Sequence, residues 1–260
     1  MKQPPDIGTL ELGLSVVLVL VAGLVSAALR LGLLGQLVWG TLRTFVQLTL
    51  VGYALTYIFA VDHALLVAGI VALMCLIAAH AALGRVQRAP RGSFVLAALS
   101  LGSSTFIVAA MVCGVVIHAE RWYSARVVIP IAGMILGNSL TAVALALDRL
   151  LEEVRGRSGE LELRLALGYT PWEAIQPHVR SALRAAMTPT INALMVVGLV
   201  SLPGMMTGQI LAGAEPLRAA RYQIVVMMML AAAVAGAALL VIALSYRRCF
   251  DDDQALRRDI

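Results

Sequence analysis

From Leu10 to Leu34 the only charged residues are Glu11 and Arg30, and the rest of the run is almost wholly apolar. A run longer than ~18 apolar residues exceeds what a buried soluble helix needs and suits a helix that crosses a bilayer. Comparable runs recur along the chain. They are read at about Leu10–Leu34, Val38–Ala60, Ala64–Leu83, Phe94–His118, Val127–Leu147, Ala185–Thr207 and Tyr222–Tyr246, about seven spans in all. Only 13% of residues are charged and 60% are hydrophobic, against ~25% charged in soluble domains. The runs are continuous, whereas a membrane barrel alternates polar and apolar over strands of about ten residues. The expected fold is an all-α, polytopic bundle forming one transmembrane domain over residues 1–260, with a polar tail at 247–260.

The net charge of +5 is first a matter of loop bias. One set of loops carries Arg30, Arg85, Arg88, Arg91, Arg149, Arg155, Arg157, Arg164, Arg180, Arg184, Arg247, Arg248, Arg257 and Arg258; the other holds Lys2, Arg121, Arg126, Arg218 and Arg221. The positive-inside rule then places the N-terminus outside and the C-terminus in the cytoplasm, as a multi-pass protein of a bacterial inner membrane. No basic cluster is interleaved with stacking aromatics, so no nucleic-acid partner is expected. Cys75, Cys113 and Cys249 are scattered without a CxxC, which gives neither a disulfide framework nor a zinc site. The N-terminal segment lacks a basic n-region, so the first span reads as retained.

One stretch departs from this pattern. From Asp148 to Arg184 the chain is charged, and it reads as a cytoplasmic helical hairpin. Glu160 to Leu167 contains no helix breaker, Gly168 suits a helix end, and Thr170-Pro171 reads as an N-cap with proline at the first helical position. Two short helices at a glycine hinge can pass a rigid push into the next span.

Chemistry-bearing residues are few. No HExxH, GxSxG or Walker motif occurs, so the chain is not expected to be an enzyme, and ATP hydrolysis would fall to a partner. Arg43 and Gln47 share one helix face at i, i+4; they line a polar seam, or Arg43 snorkels to the interface. Gly133 and Gly137 form GxxxG, beside Asn138, Ser139 and Thr141, polar groups that need partners across a helix seam or a pathway. The segment Ser201–Gly208, SLPGMMTG, reads as an interrupted helix. There Met205 and Met206 are either soft donors to a metal in transit or core filler. Asp62-His63 is a weak metal candidate at a turn. No inverted repeat is evident, which argues against a self-contained secondary transporter. One small bundle is also thin for a pathway, so a homodimer is expected.

Glu162 followed six residues later by Gly168 resembles the EAA loop of ABC-transporter permeases, although Leu163 and Arg164 replace its alanines and no Leu-Pro follows. VVIPIAGMILGNSLTAVALALDRL, LALGYTPWEAI and VGLVSLPGMMTGQILAGAEPLRAARYQI look similar to the FetB-type iron-export ABC permeases, a family shared with the plant aluminium-sensitivity permeases. The resemblance covers about Leu10 to Tyr246. It implies a permease exporting iron or another metal and no cofactor bound by this chain. It also implies a separate cytosolic ATPase (FetA-like) that binds ATP and Mg. Glu162, Gly168, Tyr169, Thr170, Pro171 and Trp172 would make the coupling contacts, and Arg43, Gln47, Asn138, Ser139, Met205 and Met206 are pathway candidates. The metal ligands are unknown. Export of a nucleotide sugar and a non-transporting scaffold are the alternatives.

Overall fold

The structure, a computed structural model, describes residues 8–61, 63–87, 89–90, 92–116, 123–251 and 253–257. Nine α-helices follow one another among them: α1 (Thr9–Ala28), α2 (Leu34–Val61), α3 (Ala64–Leu83), α4 (Ser93–Met111), α5 (Ala125–Gly156), α6 (Ser158–Ala166), α7 (Pro171–Val196), α8 (Gly204–Leu211) and α9 (Pro216–Ser245). A π-helical stretch, Val112–Val116, prolongs α4, and a 3₁₀ turn, Tyr246–Cys249, closes α9. The only β pairing among the described residues is two isolated bridges.

The helices divide into two compact units. The first holds α1 and α2. Their corner is turned by Arg30, which adopts a left-handed φ of 51°, while the Leu33 N–H donates to Ser26 Oγ at 3.2 Å. Within this unit no residue of α2 is buried.

The second unit is built around α5. Its buried Leu136, Val143, Leu147, Leu150 and Val154 join Ala97 and Leu101 of α4, Ala79 and Ala82 of α3, Ile175 and Ala182 of α7, and Val234, Ala237, Val241 and Ile242 of α9. Alanine dominates because helices in a bilayer gain by close van der Waals approach rather than by excluding water. The α4–α9 seam shows this: Ser104 Oγ donates to the Ala233 carbonyl at 2.8 Å, directly beside Gly236.

Six of the described helices, α1–α5 and α9, are long and apolar enough to cross a membrane. The expected span over 185–207 is the exception. Its first half is the end of α7; its second half is the short α8, beyond a break at 197–203. Gly198 turns that break with φ +84°. The carbonyl of Val196 accepts from the Val200 N–H, Ser201 from Gly198, and Pro203 from Thr207, so part of the backbone polarity exposed by the break is satisfied within it.

The charged stretch over 148–184 is likewise not a separate loop. α5 continues through it to Gly156, and α7 begins at Pro171 and runs without interruption to Val196 despite Pro177 and Pro189. The hairpin's second helix and the following apolar segment are therefore one rod. The link between α3 and α4 is pinned beside it. The Gln87 N–H donates to Asp148 at 3.0 Å, the Arg155 guanidinium to the Gln87 carbonyl at 3.3 Å, and Arg85 to Thr141 at 3.2 Å.

Candidate functional site: the hairpin and its anchors

α6 stops because Gly168 takes φ +90°, a conformation that glycine adopts without a Cβ clash. Its N–H donates to Leu165 at 2.9 Å and the next N–H, of Tyr169, to Arg164 at 3.1 Å. This pair of bonds is a Schellman cap. Two residues on, Thr170 starts α7. Its Oγ1 accepts from the Glu173 N–H at 3.3 Å and its own N–H donates to Glu173 Oε2 at 2.8 Å, a reciprocal capping box with Pro171 at the first helical position. Sequence reasoning found Gly168, Thr170 and Pro171 and placed Glu173 at the start of the second helix, but did not assign it to the cap, although T-x-x-E is the signature of this box. Glu173 is ionised at neutral pH: the Thr170 N–H, then the Thr170 hydroxyl, hold its carboxyl below the usual range.

The turn is thus fixed at both helix ends. On it Leu163, Leu167, Tyr169 and Trp172 are exposed, together with Glu162. A convex tip combining apolar side chains with charge can seat in a groove of a soluble protein.

Besides the buried Leu161, Ala174 and Ile175, two specific side-chain contacts hold the hairpin to core helices. Glu153, near the end of α5, is buried, and four groups converge on its carboxylate. Ser181 Oγ donates to Oε1 at 2.8 Å and His178 Nδ1 to Oε2 at 3.0 Å, both from α7. Arg149 lies at 2.8 Å and Arg157 at 3.7 Å. A carboxylate only accepts, so His178 carries its proton on Nδ1; its buried Nε2 makes no hydrogen bond among the described residues. The second contact is Trp172 against Tyr246, at the end of α9. Of the six expected coupling residues, Trp172 therefore also packs within the chain.

The pathway candidates are divided between the two units. Arg43 and Gln47 both lie on exposed positions of α2, in the first unit. Asn138 and Ser139 face different ways, as neighbours on a helix must. Asn138 is exposed and donates to the Met134 carbonyl at 2.9 Å. Ser139 is fully buried, and its hydroxyl makes no hydrogen bond among the described residues. Met205 packs on an apolar cluster containing Cys113, Ile131, Ile135 and Met229, with Met134 at its edge; Met206 is half-buried. That cluster brings α8 beside the apolar part of α5 and gathers several soft sulfur side chains. Among the described residues no three His, Cys, Asp or Glu side chains come together as a metal site. Asp62, one half of the Asp62-His63 candidate, lies outside the described residues. An apolar groove of about 860 Å³ between α3 and α4 has none of the candidate residues in its lining.

Comparison with known proteins accords with this architecture. Residues 9–250 match the model of Uncharacterised protein family UPF0014. The chain is 41% identical over 240 residues to the UPF0014 membrane protein slr1647 of Synechocystis, covering 90% of this chain and 93% of that one. It is 36% identical over 249 residues to the Probable iron export permease protein FetB of Escherichia coli, covering 95% and 93%. It is 34% identical over 218 residues to Protein ALUMINUM SENSITIVE 3 of Arabidopsis thaliana, covering 84% and 78%. No solved structure matches the chain. With nearly its whole length aligned to these relatives, the chain belongs to the UPF0014 family of membrane proteins.

Proposed function

We propose that the chain is the membrane subunit of an ABC exporter that moves iron, or another metal, out of the cytoplasm. Its α6–α7 hairpin docks on a separate cytosolic ATPase, which binds ATP and Mg. The observation that carries this reading is the hairpin itself. It is capped at both helix ends, it exposes Leu163, Leu167 and Tyr169, and its second helix is continuous with the bundle. The substrate comes from the relative named as a probable iron export permease.

In this account two copies associate around a two-fold axis, and Asn138 and Gly137, exposed on α5, face the seam or the pathway. The end of α7, the break and α8 together make the seventh crossing, which leaves the N-terminus outside and the C-terminus in the cytoplasm of the inner membrane. ATP binding closes the ATPase dimer, the hairpin moves as a rigid corner, and the pathway opens outward. Met205 and Met206 are the candidate soft contacts for the passing ion, with Arg43 and Gln47 as polar lining, and Ser139 sits behind Asn138 in the packing of α5.

The test is ATP hydrolysis by the purified chain with its candidate ATPase in lipid, across a panel of divalent metals. Stimulation by Fe²⁺ that disappears in Glu162→Ala or Gly168→Pro supports coupling through the hairpin. An ATPase that neither binds nor responds points instead to a scaffold that recruits some other cytosolic protein.

A further inference from the structure

We infer that Glu153 is the positioning residue that fixes the register of α7 against α5, so that displacement of the hairpin is delivered to the core instead of being lost where the two helices meet. The inference rests on the coupling reading above and assigns its transmitting contact. Pro177 sits inside α7, where its ring removes one backbone hydrogen bond and leaves the helix locally compliant. A push on the first turns of α7 would be taken up there unless the rod were held just beyond. Glu153 holds it at that place, through His178 and Ser181.

The chemistry suits fixing a position better than adding stability. Around Glu153 the α5–α7 seam is apolar, with Leu150, Val154, Ala174, Ile175, Val179 and Ala182 all buried. Small apolar surfaces of this kind hold helices together without specifying which turn faces which. A buried carboxylate costs desolvation, and exchanging such a polar group for well-packed apolar side chains is often neutral or stabilising. What it supplies is direction, because two donors from α7 must meet two particular oxygens. Charge-assisted bonds of this type are roughly twice as strong as neutral ones. Arg149 of α5 and Arg157, the residue just beyond its end, neutralise the carboxylate without crossing the seam. Among the described residues, His178 and Ser181 are the cross-seam donors to it.

The discriminating variant is the double substitution Glu153→Leu with His178→Leu, which refills the seam with apolar volume. It is compared with the wild-type complex in proteoliposomes for thermal stability, ATPase binding, ATP hydrolysis and Fe²⁺ moved per ATP. A positioning role predicts that stability and ATPase binding persist while transport per ATP falls about tenfold, within the usual range of coupling between sites. A double variant that transports as the wild type does overturns the inference and leaves the coupling reading standing. A wild-type chain that neither binds nor stimulates the ATPase overturns both. Ser181→Ala, at a half-buried position, keeps the question open to test should the double variant fail to fold. It predicts a fall of about threefold, and wild-type coupling in that variant counts against the inference.

Discussion

The ring of Trp172, in the first turn of α7, meets the ring of Tyr246, just beyond α9, edge to face with centroids 5.1 Å apart. The contact joins the start of the hairpin's second helix to the end of the last core helix, so a residue expected to serve a partner is also part of the chain's own packing.

Trp172→Ala should therefore destabilise the isolated chain by about 1 kcal/mol, the scale of an aromatic pair beyond its burial. Trp172→Phe should keep most of that. Thermal unfolding in detergent measures both. An alanine variant that melts with the wild type would show that the ring matters only to a partner.

Gly168→Ala tests the corner. No atom lies within 4 Å of the added Cβ, so its cost is conformational alone, about 1–2 kcal/mol for a left-handed residue. Gly168→Pro adds the loss of the N–H that bonds Leu165 and cannot take the positive φ. It should leave the spans inserted, as proteolytic mapping would show, while abolishing partner-dependent transport.

Thr170→Ala removes the N-cap and should cost about 1 kcal/mol, read as faster amide exchange over residues 171–175. The box is also pH-dependent. The Glu173 carboxyl has a depressed folded-state pKa, so its contribution is complete above the unfolded value of 4.5 and is lost as pH falls through the folded value. Exchange at the start of α7 should accelerate only below that range in the wild type. In Glu173→Gln this acid-induced step should be absent.

Gly236→Ala tests the α4–α9 seam. The new Cβ would lie 3.2 Å from Ser104 Oγ, which is engaged with the Ala233 carbonyl. The clash should cost about 1–3 kcal/mol, and Ser104→Ala should relieve part of it at the loss of that hydrogen bond. A stability series over the two single variants and the double variant measures the coupling.

The parts of this fold that were legible in the sequence are those fixed by local physics. Continuous apolar length marked the membrane-crossing helices, and Gly168 with Thr170-Pro171 marked the corner, because a left-handed glycine and a capped proline act through neighbouring residues. The long-range features were not legible. Nothing local distinguishes Glu153 from Glu152, yet one is buried under His178 and Ser181 while the other is exposed and pairs with Arg149 at 2.9 Å. The interruption expected over Ser201–Gly208 lies instead at 197–203, because residues 204–208 already belong to α8. Its turn begins at Gly198, whose positive φ accompanies the hairpin-like bond to Ser201. Asn138 and Ser139 are neighbours in sequence, and helical geometry leaves the first exposed and the second buried.

The central claim, that the hairpin docks on an ATPase, is tested most directly by site-specific crosslinking. Single cysteines at Leu163→Cys and Leu167→Cys, in a chain whose three native cysteines are replaced, would be treated with a short bifunctional reagent in membranes containing the candidate ATPase. The account predicts crosslinks to the ATPase from both positions, with yields that change when ATP is added, and none from a control cysteine on α1. Copurification of the ATPase without any crosslink from the hairpin would contradict it.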